Sequence, residues 1–416
     1  MRLPFTALHV VQPGDGGVAR VVTDVVGAQV ARGMRVAVAC PPDGPLAVGV
    51  RAAGGEVHPW RAGRDPGWRL PAECRRVAEI VELVRPDLVH AHSAKAGLAA
   101  RLAVRGRVPT VHQPHAWSFE AVGGLTGALA RHWERWAAAR WTDRVVCVSE
   151  AERERGVRAG VRASWCVVRN GVDVARFAGG AGTPACADNA DVEDRFSPSD
   201  GGAWDGGVRG DATRGGGSRQ GDVPPPVTAS PLVVCVGRLC RQKGQDALLQ
   251  AWRTVVEHVP RAHLALVGDG PSGAALRAAA PPGVTFAGAV DDPAPWYRAA
   301  DLVVLPSRWE GMALAPLEAM ASGRPVLLTD VDGARESLPP GQEAHCLVPP
   351  DDPAALAAAL IRLLQRPLLR RTLARRAQHH VRDAFDVHRV GAALADVYDE
   401  VTARRRPPVL REPVAR

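Results

Sequence analysis

The sequence predicts an α/β protein of two doubly wound domains facing each other across a cleft. Three observations carry this. Short, continuously apolar runs alternate with helix-like stretches, the pattern of parallel sheets covered on both faces. The alternation occurs twice, as two successive arrays. Residues 179–230 interrupt it with 12 of the 43 glycines, eight acidic side chains, four arginines and no apolar periodicity.

In the first array the expected strands are "FTALHVV", "RVAVAC", "DLVHAH", "PTVHQP", "RVVCVS" and "WCVVRN", with helices near 17–32, 70–84 and 125–140. In the second they are "PLVVCVG", "AHLALVG", "VTFAGA", "DLVVLPS", "PVLLT" and "HCLVPP". This gives one domain over 1–178 and another over 231–385. The 179–230 stretch is expected to be a disordered, Gly-rich linker or insertion, because it offers too little apolar surface to offset the entropy of ordering. Residues 404–416, which end "RRRPPVLREPVAR", read as a basic, solvated tail.

Composition narrows the class. The 416 residues carry 52 basic and 44 acidic side chains, a net charge of +8, which favours anionic partners without choosing among them. Only Lys95 and Lys243 are lysines; the other fifty basic residues are arginine. An ammonium and a guanidinium are not interchangeable, so the two lysines draw attention. The eight cysteines stand singly, with no C-x-x-C pair, which argues against structural zinc and for reduced, packed thiols in a cytoplasm. The first residues read as a strand rather than a signal peptide. No apolar run is long enough to span a bilayer.

Sites on doubly wound sheets form at the carboxyl ends of strands, so the loops there are the places to look. "PGDGGVAR" (13–20) follows the first strand and opens a helix. Its Gly14, Gly16 and Ala19 match a dinucleotide fingerprint, but Pro41 stands where the ribose-binding acid should be, at the end of the second strand. "VHAHSAKAGLAAR" (89–101) brings His90, His92 and Lys95 to a strand end, the two histidines on one face. "VHQPHAWSFE" (111–120) sets His115 beyond the next strand. In "VCVGRLCRQKGQDALLQAW" (234–252), Arg238 and Lys243 flank a loop and can grip a diphosphate from two sides. "VGDGP" ends the following strand in a glycine turn.

"PSRWEGMALAPLEAMASGRPV" (306–326) holds two carboxylates, Glu310 and Glu318, with little else polar between them. Pro316 suits the first turn of a helix. That places Glu310 in the loop before the helix and Glu318 in its first turn. The amides of Gly311, Met312, Ala313 and Leu314 would then be free to donate to a sugar or phosphate. The two acids read as clamps for different hydroxyl-bearing parts of one ligand.

The set "GRLCRQKG", "VGDGP" and "PSRWEGMALAPLEAMASGRPV" resembles the retaining, nucleotide-sugar-dependent glycosyltransferases of family 4 (group 1). The segments "DGGVAR", "VHAHSAKAGLAAR", "SE" at 149–150 and "NGVD" at 170–173 agree. The resemblance covers nearly the whole chain outside 179–230. It implies the GT-B fold, two Rossmann-like domains facing across a cleft, with a last helix at about 386–403 packing back on the first domain. Arg238 and Lys243 would bind the donor diphosphate and stabilise the leaving group. Glu318 would take the ribose hydroxyls, and Glu310 and the amides of 311–314 the sugar. His115 would lie at the reaction centre, Gly16 and Gly17 near the phosphate and acceptor, and Val290 near the base. His115, Arg238, Lys243 and Glu310 are then the catalytic set, with no metal and no cofactor beyond a UDP- or GDP-linked donor. Two residues depart from the family pattern, Asp332 and His345, each at a common glycine position.

The acceptor is expected to be a carbohydrate, lipid-linked sugar or inositol-phosphate-type hydroxyl, with His92 and Lys95 as candidate contacts, and no nucleic acid. "LTGALARHWERWAAARWTDR" (125–144) mixes arginine with Trp133, Trp136 and Trp141, so it is either an ordinary packed helix or one that lies on the inner face of an anionic membrane. Three other readings stay open: a non-catalytic nucleotide-sugar-binding protein, a nucleotide-sugar oxidoreductase or epimerase, and a glycosidase, which would not need the Arg238/Lys243 pair.

Overall fold

A computed structural model describes residues 4–63, 67–179 and 230–405. The linker expected over 179–230 lies outside the described residues except for its two end positions, as does the tail beyond Arg405.

Two parallel sheets form the frame. The first contains β1 (Thr6–Val11), β2 (Arg35–Cys40), β3 (Glu56–Pro59), β4 (Leu88–His92), β5 (Thr110–Gln113), β6 (Arg144–Cys147) and β7 (Trp165–Val167), in the order β3-β2-β1-β4-β5-β6-β7. The second contains β8 (Leu232–Val236), β9 (His263–Val267), β10 (Val284–Gly288), β11 (Leu302–Leu305), β12 (Val326–Thr329) and β13 (Leu347–Val348), in the order β10-β9-β8-β11-β12-β13. In each the strand order reverses beside the first strand, at β1/β4 and at β8/β11. Those switch points open the crevices where doubly wound sheets bind ligands.

The central strands are buried on both faces, as continuous apolar runs require. Leu8, Val10, Val89, Val233 and Val304 are fully enclosed. β3 was not among the expected strands. It is a half-exposed edge strand that begins on Glu56 and contains His58, so it lacks the apolar signature of its neighbours. The expected helices at 70–84, 17–32 and 125–140 appear as Leu70–Val84, Gly16–Ala31 and Gly124–Trp141.

The last helix, Val387–Arg405, leaves the second domain and returns to the first. Backbone bonds between Val172 and Phe385 (2.8 Å) and between Val387 and Val172 (3.1 Å) start the return. Gly391 lies so close to Ala28 that a Cβ there would stand 2.5 Å from the Ala28 Cβ. Glu400 pairs with Arg144 at 2.7 Å and Arg405 with Asp143 at 2.7 Å, fastening its far end. Tyr398 is thereby driven into the first domain and completely buried.

The seven cysteines among the described residues are free thiols. Among the described residues no helix is long and apolar enough to cross a membrane.

Candidate active site

The strand ends of the two sheets meet face to face, and three contacts, two of them buried, help fix how. The Ser149 hydroxyl donates to the Gly311 carbonyl (3.0 Å) while accepting from the Glu152 amide (3.0 Å), so one side chain caps the Glu150–Arg158 helix and ties the domains. Asn170 Nδ2 donates to the Met312 carbonyl at 2.8 Å. Arg20, in the helix that opens at Gly16, donates to Glu318. The "SE" and "NGVD" segments thus act as cross-domain fasteners.

Gly311 sits at the centre of this contact. A Cβ there would lie 2.9 Å from Val148 Cγ2, 3.0 Å from the Ala116 nitrogen and 3.1 Å from the His115 carbonyl carbon. Those distances leave no room for a side chain. His115 and Ala116 opposite it hold φ angles of 55° and 101°, the left-handed region that non-glycine residues avoid. Such strain persists only where the surroundings impose it. Here Glu152 imposes it, accepting from the Ala116 amide at 2.5 Å and the Val148 amide at 2.7 Å. Burial pushes the Glu152 carboxyl up to about 7, against those two amides, which favour the charged form.

On the second domain, the loop after β8 and the loop after β11 come together. Lys243 Nζ lies 2.6 Å from Glu310 Oε1, and the Ser307 hydroxyl donates to the same oxygen at 2.7 Å. Gly244 makes this approach possible. Its φ is 66°, and a Cβ would stand 2.0 Å from the Pro306 carbonyl oxygen. The loop carrying Arg238 is braced by the 268–272 turn: Leu239 donates to the Asp269 carbonyl and Ser272 to that of Leu239, both at 2.9 Å.

The Glu318 helix runs from Leu314 to Ala321, and no side chain caps its N-terminus. Pro316 is its third residue, so Glu318 falls in the second turn rather than the first. Glu318 is buried, 2% exposed, between Arg20 and the Tyr297 hydroxyl, which donates at 2.7 Å. Burial raises the Tyr297 hydroxyl well above its ordinary range, and the adjacent carboxylate adds to it. Burial works against the Arg20 charge, but Glu318 more than offsets it and holds the guanidinium above its usual value. Gly16 and Gly17 open the Arg20 helix, and a Cβ on either would meet nothing within 4 Å. Val290, half-buried, follows β10.

His92 is fully buried, and Lys95 is 4% exposed and paired with Glu73 at 2.6 Å. Neither presents an open contact to an acceptor in this conformation; for Lys95 that ion pair would first have to part. His92 belongs instead to a buried row. His9 Nδ1 lies 2.9 Å from His92 Nε2, and His92 Nδ1 lies 3.1 Å from His115 Nε2. His9 Nε2 lies 2.9 Å from Gln29 Oε1. Gln29 Nε2 donates to the Tyr398 hydroxyl (3.2 Å), which lies 2.6 Å from His90 Nδ1. Burial lowers His9 to about 4 and His115 to about 3, and lowers His90 and His92 well below the usual imidazole range. Among the described residues, His9, His90 and His92 form the one cluster with metal-ligand spacing. It lies inside the first sheet, away from Lys243.

Sequence reasoning singled out neither His9 nor Arg20, Gln29, Tyr297 or Tyr398. A histidine inside an apolar strand was the available signal for His9, and "DGGVAR" contained Arg20. The other three depend on contacts between distant parts of the chain. Asp332, at a usual glycine position, bonds Arg155 twice at 2.6 Å across the cleft. The departure is thus part of the domain contact.

The two opposed Rossmann-like domains define a protein of the GT-B class. The chain belongs to the group 1, family 4 glycosyltransferases. The family described as "Glycosyltransferase Family 4" matches residues 15–176, and "Glycosyl transferases group 1" matches 230–366. A "D-inositol 3-phosphate glycosyltransferase" of Streptomyces bingchenggensis is 31% identical over 76% of this chain and 66% of its own length. A "Lipopolysaccharide core biosynthesis mannosyltransferase LpcC" of Rhizobium leguminosarum bv. viciae is 32% identical over 42% of this chain and 52% of its own length. The chain therefore spans just under two thirds of the first of these relatives and about half of the second. A "UDP-Gal:alpha-D-GlcNAc-diphosphoundecaprenol alpha-1,3-galactosyltransferase" of Escherichia coli is 25% identical over 81% of this chain and 84% of its own length. Among solved structures, Anabaena Alr3699/HepE in complex with UDP-glucose superposes with a TM-score of 0.74 at 22% identity, covering 95% of this chain and 99% of that one. That last likeness is one of fold.

Proposed function

We propose that the chain transfers a sugar from a nucleoside-diphosphate sugar to an acceptor hydroxyl, retaining the anomeric configuration and using no metal. The observation that carries this is the meeting of Lys243 and Glu310, 2.6 Å apart, from loops on either side of the β8/β11 switch point. A ligand entering there would find an ammonium for its phosphate and a carboxylate for its hydroxyls.

Arg238 and Lys243 supply fixed positive charge to the departing diphosphate, where negative charge grows as the glycosidic bond breaks. Glu310 and the amides from Gly311 to Leu314 orient the sugar, and Glu318 holds the ribose. His115, pressed against Gly311, faces the sugar carbon. The leaving phosphate takes the acceptor proton, so the acceptor approaches on the face the diphosphate leaves. Val290 borders the base. For the donor, uridine or guanosine diphosphate sugars are the class to test, and the name of the Escherichia coli relative favours the former. For the acceptor, the names of the relatives point to an inositol phosphate, a lipid-linked sugar or a lipopolysaccharide core.

An oxidoreductase reading has less support: the end of β2 passes into Pro41, with no acid for a nicotinamide ribose. Peripheral membrane contact is favoured by Val122, Leu125 and Leu129, exposed by 40%, 78% and 61% on and just before the first turns of the Gly124–Trp141 helix. Trp133, Trp136 and Trp141 do not form that surface. They pack on each other with ring centroids 4.3 to 6.2 Å apart, and Arg101 and Arg140 lie over two of them.

The test is product analysis. Incubation with UDP- or GDP-sugars and a panel of these acceptors in chelator, followed by proton NMR of the anomeric signal, reads transfer and stereochemistry together. A product of inverted configuration, or activity that appears only with added divalent metal, would contradict the proposal.

A further inference from the structure

We infer that the buried row Tyr398–Gln29–His9–His92–His115 is a directional hydrogen-bond relay that fixes the tautomer of His115 and leaves its Nδ1 as a hydrogen-bond acceptor toward the donor sugar. Gln29, His9 and Tyr398 are then positioning residues for the transfer. The inference rests on the proposed function only for the last link, that His115 faces the sugar.

The argument is one of proton counting. A neutral imidazole carries one N–H and one lone pair, so each ring passes a direction to the next. Gln29 donates its amide N–H to the Tyr398 hydroxyl and offers Oε1 to His9. His9 must therefore carry its proton on Nε2, and its Nδ1 accepts from His92 Nε2–H across 2.9 Å. His92 Nδ1 is then the acceptor for His115 Nε2–H across 3.1 Å. His115 has only one proton to give, and Nδ1 is left with its lone pair. His115 is half-buried, and that nitrogen has no protein partner among the described residues.

The direction is set at the far end. The Tyr398 hydroxyl receives the Gln29 amide and donates onward to His90 Nδ1 at 2.6 Å. His90 then holds its proton on Nε2. That atom and Gln113 Oε1 are both buried without a hydrogen bond of good geometry, and Gln113 is the side chain facing His90. A carbonyl oxygen there accepts but cannot donate, so the row does not run in reverse without turning Gln113 over. The rings lie edge to edge and nearly parallel, at 21° between His9 and His92 and 24° between His92 and His115, with centroids 5.2 and 5.4 Å apart, which points each nitrogen at the next. The Tyr398 link comes from the helix that returns to the first domain after the second is complete. The strained His115–Ala116 backbone fixes where the last ring stands.

The experiment is nitrogen NMR of the full chain labelled with 15N-histidine, with transfer kinetics on the same samples. The variants are Gln29→Leu, Gln29→Glu and Tyr398→Phe. In the parent, the His115 Nδ1 signal is expected to be that of an unprotonated nitrogen. Gln29→Leu removes the acceptor that orders the row, so His115 should show averaged tautomers. Hydrogen-bonded partners that orient metal-bound histidines are worth roughly 10–100-fold; on the same scale, kcat should fall at least about tenfold while KM for the donor stays within about twofold. Gln29→Glu keeps an acceptor facing His9 and should keep both the tautomer and kcat. Should Gln29→Leu fail to fold, Tyr398→Phe keeps the ring, frees the Gln29 amide and reads the same quantities. A protonated Nδ1 in the parent overturns the relay, as does an unchanged His115 signal in both Leu and Phe variants. A changed tautomer with unchanged kcat overturns the positioning role. The NMR arm needs no substrate, and nucleotide binding at Lys243 lies on the other domain. Failure of the transferase reading would therefore show as lost nucleotide binding by the parent, with the relay still readable.

Discussion

Arg20 of the first domain and Glu318 of the second form a direct ion pair, and the carboxylate it engages is the one assigned to the donor ribose. On the proposed assignment, the domain contact and the nucleotide site share this residue. Glu318 is almost fully buried, and removing one partner of such a pair leaves an uncompensated charge. Arg20→Met should lower stability by about 3 kcal/mol in chemical denaturation. Adding Glu318→Gln to it should restore a good part, because the stranded charge is gone. Equal losses in the single and double variants would mean the pair contributes little.

Gly311 is the second point of contact. Gly311→Ala must push Val148 and the His115–Ala116 peptide away by several tenths of an ångström. The nucleotide end of the site is untouched, so affinity for a nucleoside diphosphate should stay within about threefold while transfer falls. Misplacing reacting groups by 1 Å can cost on the order of 100-fold, which sets the scale of the loss. Unaltered turnover would show that the domains need not meet this closely.

The buried histidines make the fold sensitive to acid. An unfolded histidine takes up a proton near pH 6.5, whereas His9 in the fold does so only near pH 4. The unfolded chain therefore binds more protons in that window, and stability is lost as the pH falls from 6.5 towards 4. Each such histidine adds up to about 1.4 kcal/mol per pH unit to the slope. Asp24, pushed up to about 6 by burial, acts in the opposite direction, as does Glu152. His9→Gln should flatten the slope between pH 6 and 4.5 by about 1.4 kcal/mol per unit; an unchanged slope would mean that His9 does not stay neutral in the fold.

For membrane contact, Leu125→Gln with Leu129→Gln should weaken co-sedimentation with vesicles containing anionic lipid, leaving nucleotide binding unchanged. Trp133→Phe should have little effect on vesicle binding, since that ring packs against Trp136 and Trp141. The reverse pattern would return the contact to the tryptophan face.

Much of the frame was legible because parallel strands are apolar throughout and need no distant information. β3 was less so: an edge strand beginning on Glu56 does not carry that signature, whereas the two-residue β13 falls inside the expected "HCLVPP" run. Lys243 and Glu310 were legible separately, one as half of a diphosphate grip with Arg238 and the other as a hydroxyl clamp with Glu318, and the fold brings them together. Lys95 was read as a cleft residue because its neighbours are strand-end residues. Its partner Glu73 lies on the preceding helix, and local sequence does not report such pairings. The histidine row was missed for the same reason. His9 looked like an interruption of an apolar strand, and the groups that satisfy it, Gln29 and His92, stand 20 and 83 positions away. Glu318 was placed one turn too early because Pro316 was taken to start a helix that begins at Leu314.

The most direct measurement is calorimetric titration of UDP, GDP and NAD in chelator, on the parent chain and on Lys243→Ala. The account predicts that one of the two nucleoside diphosphates binds the parent, that NAD does not, and that the alanine variant, still folded, loses at least about tenfold in affinity, about 1.4 kcal/mol. Binding of NAD alone, or diphosphate binding indifferent to Lys243, would contradict it.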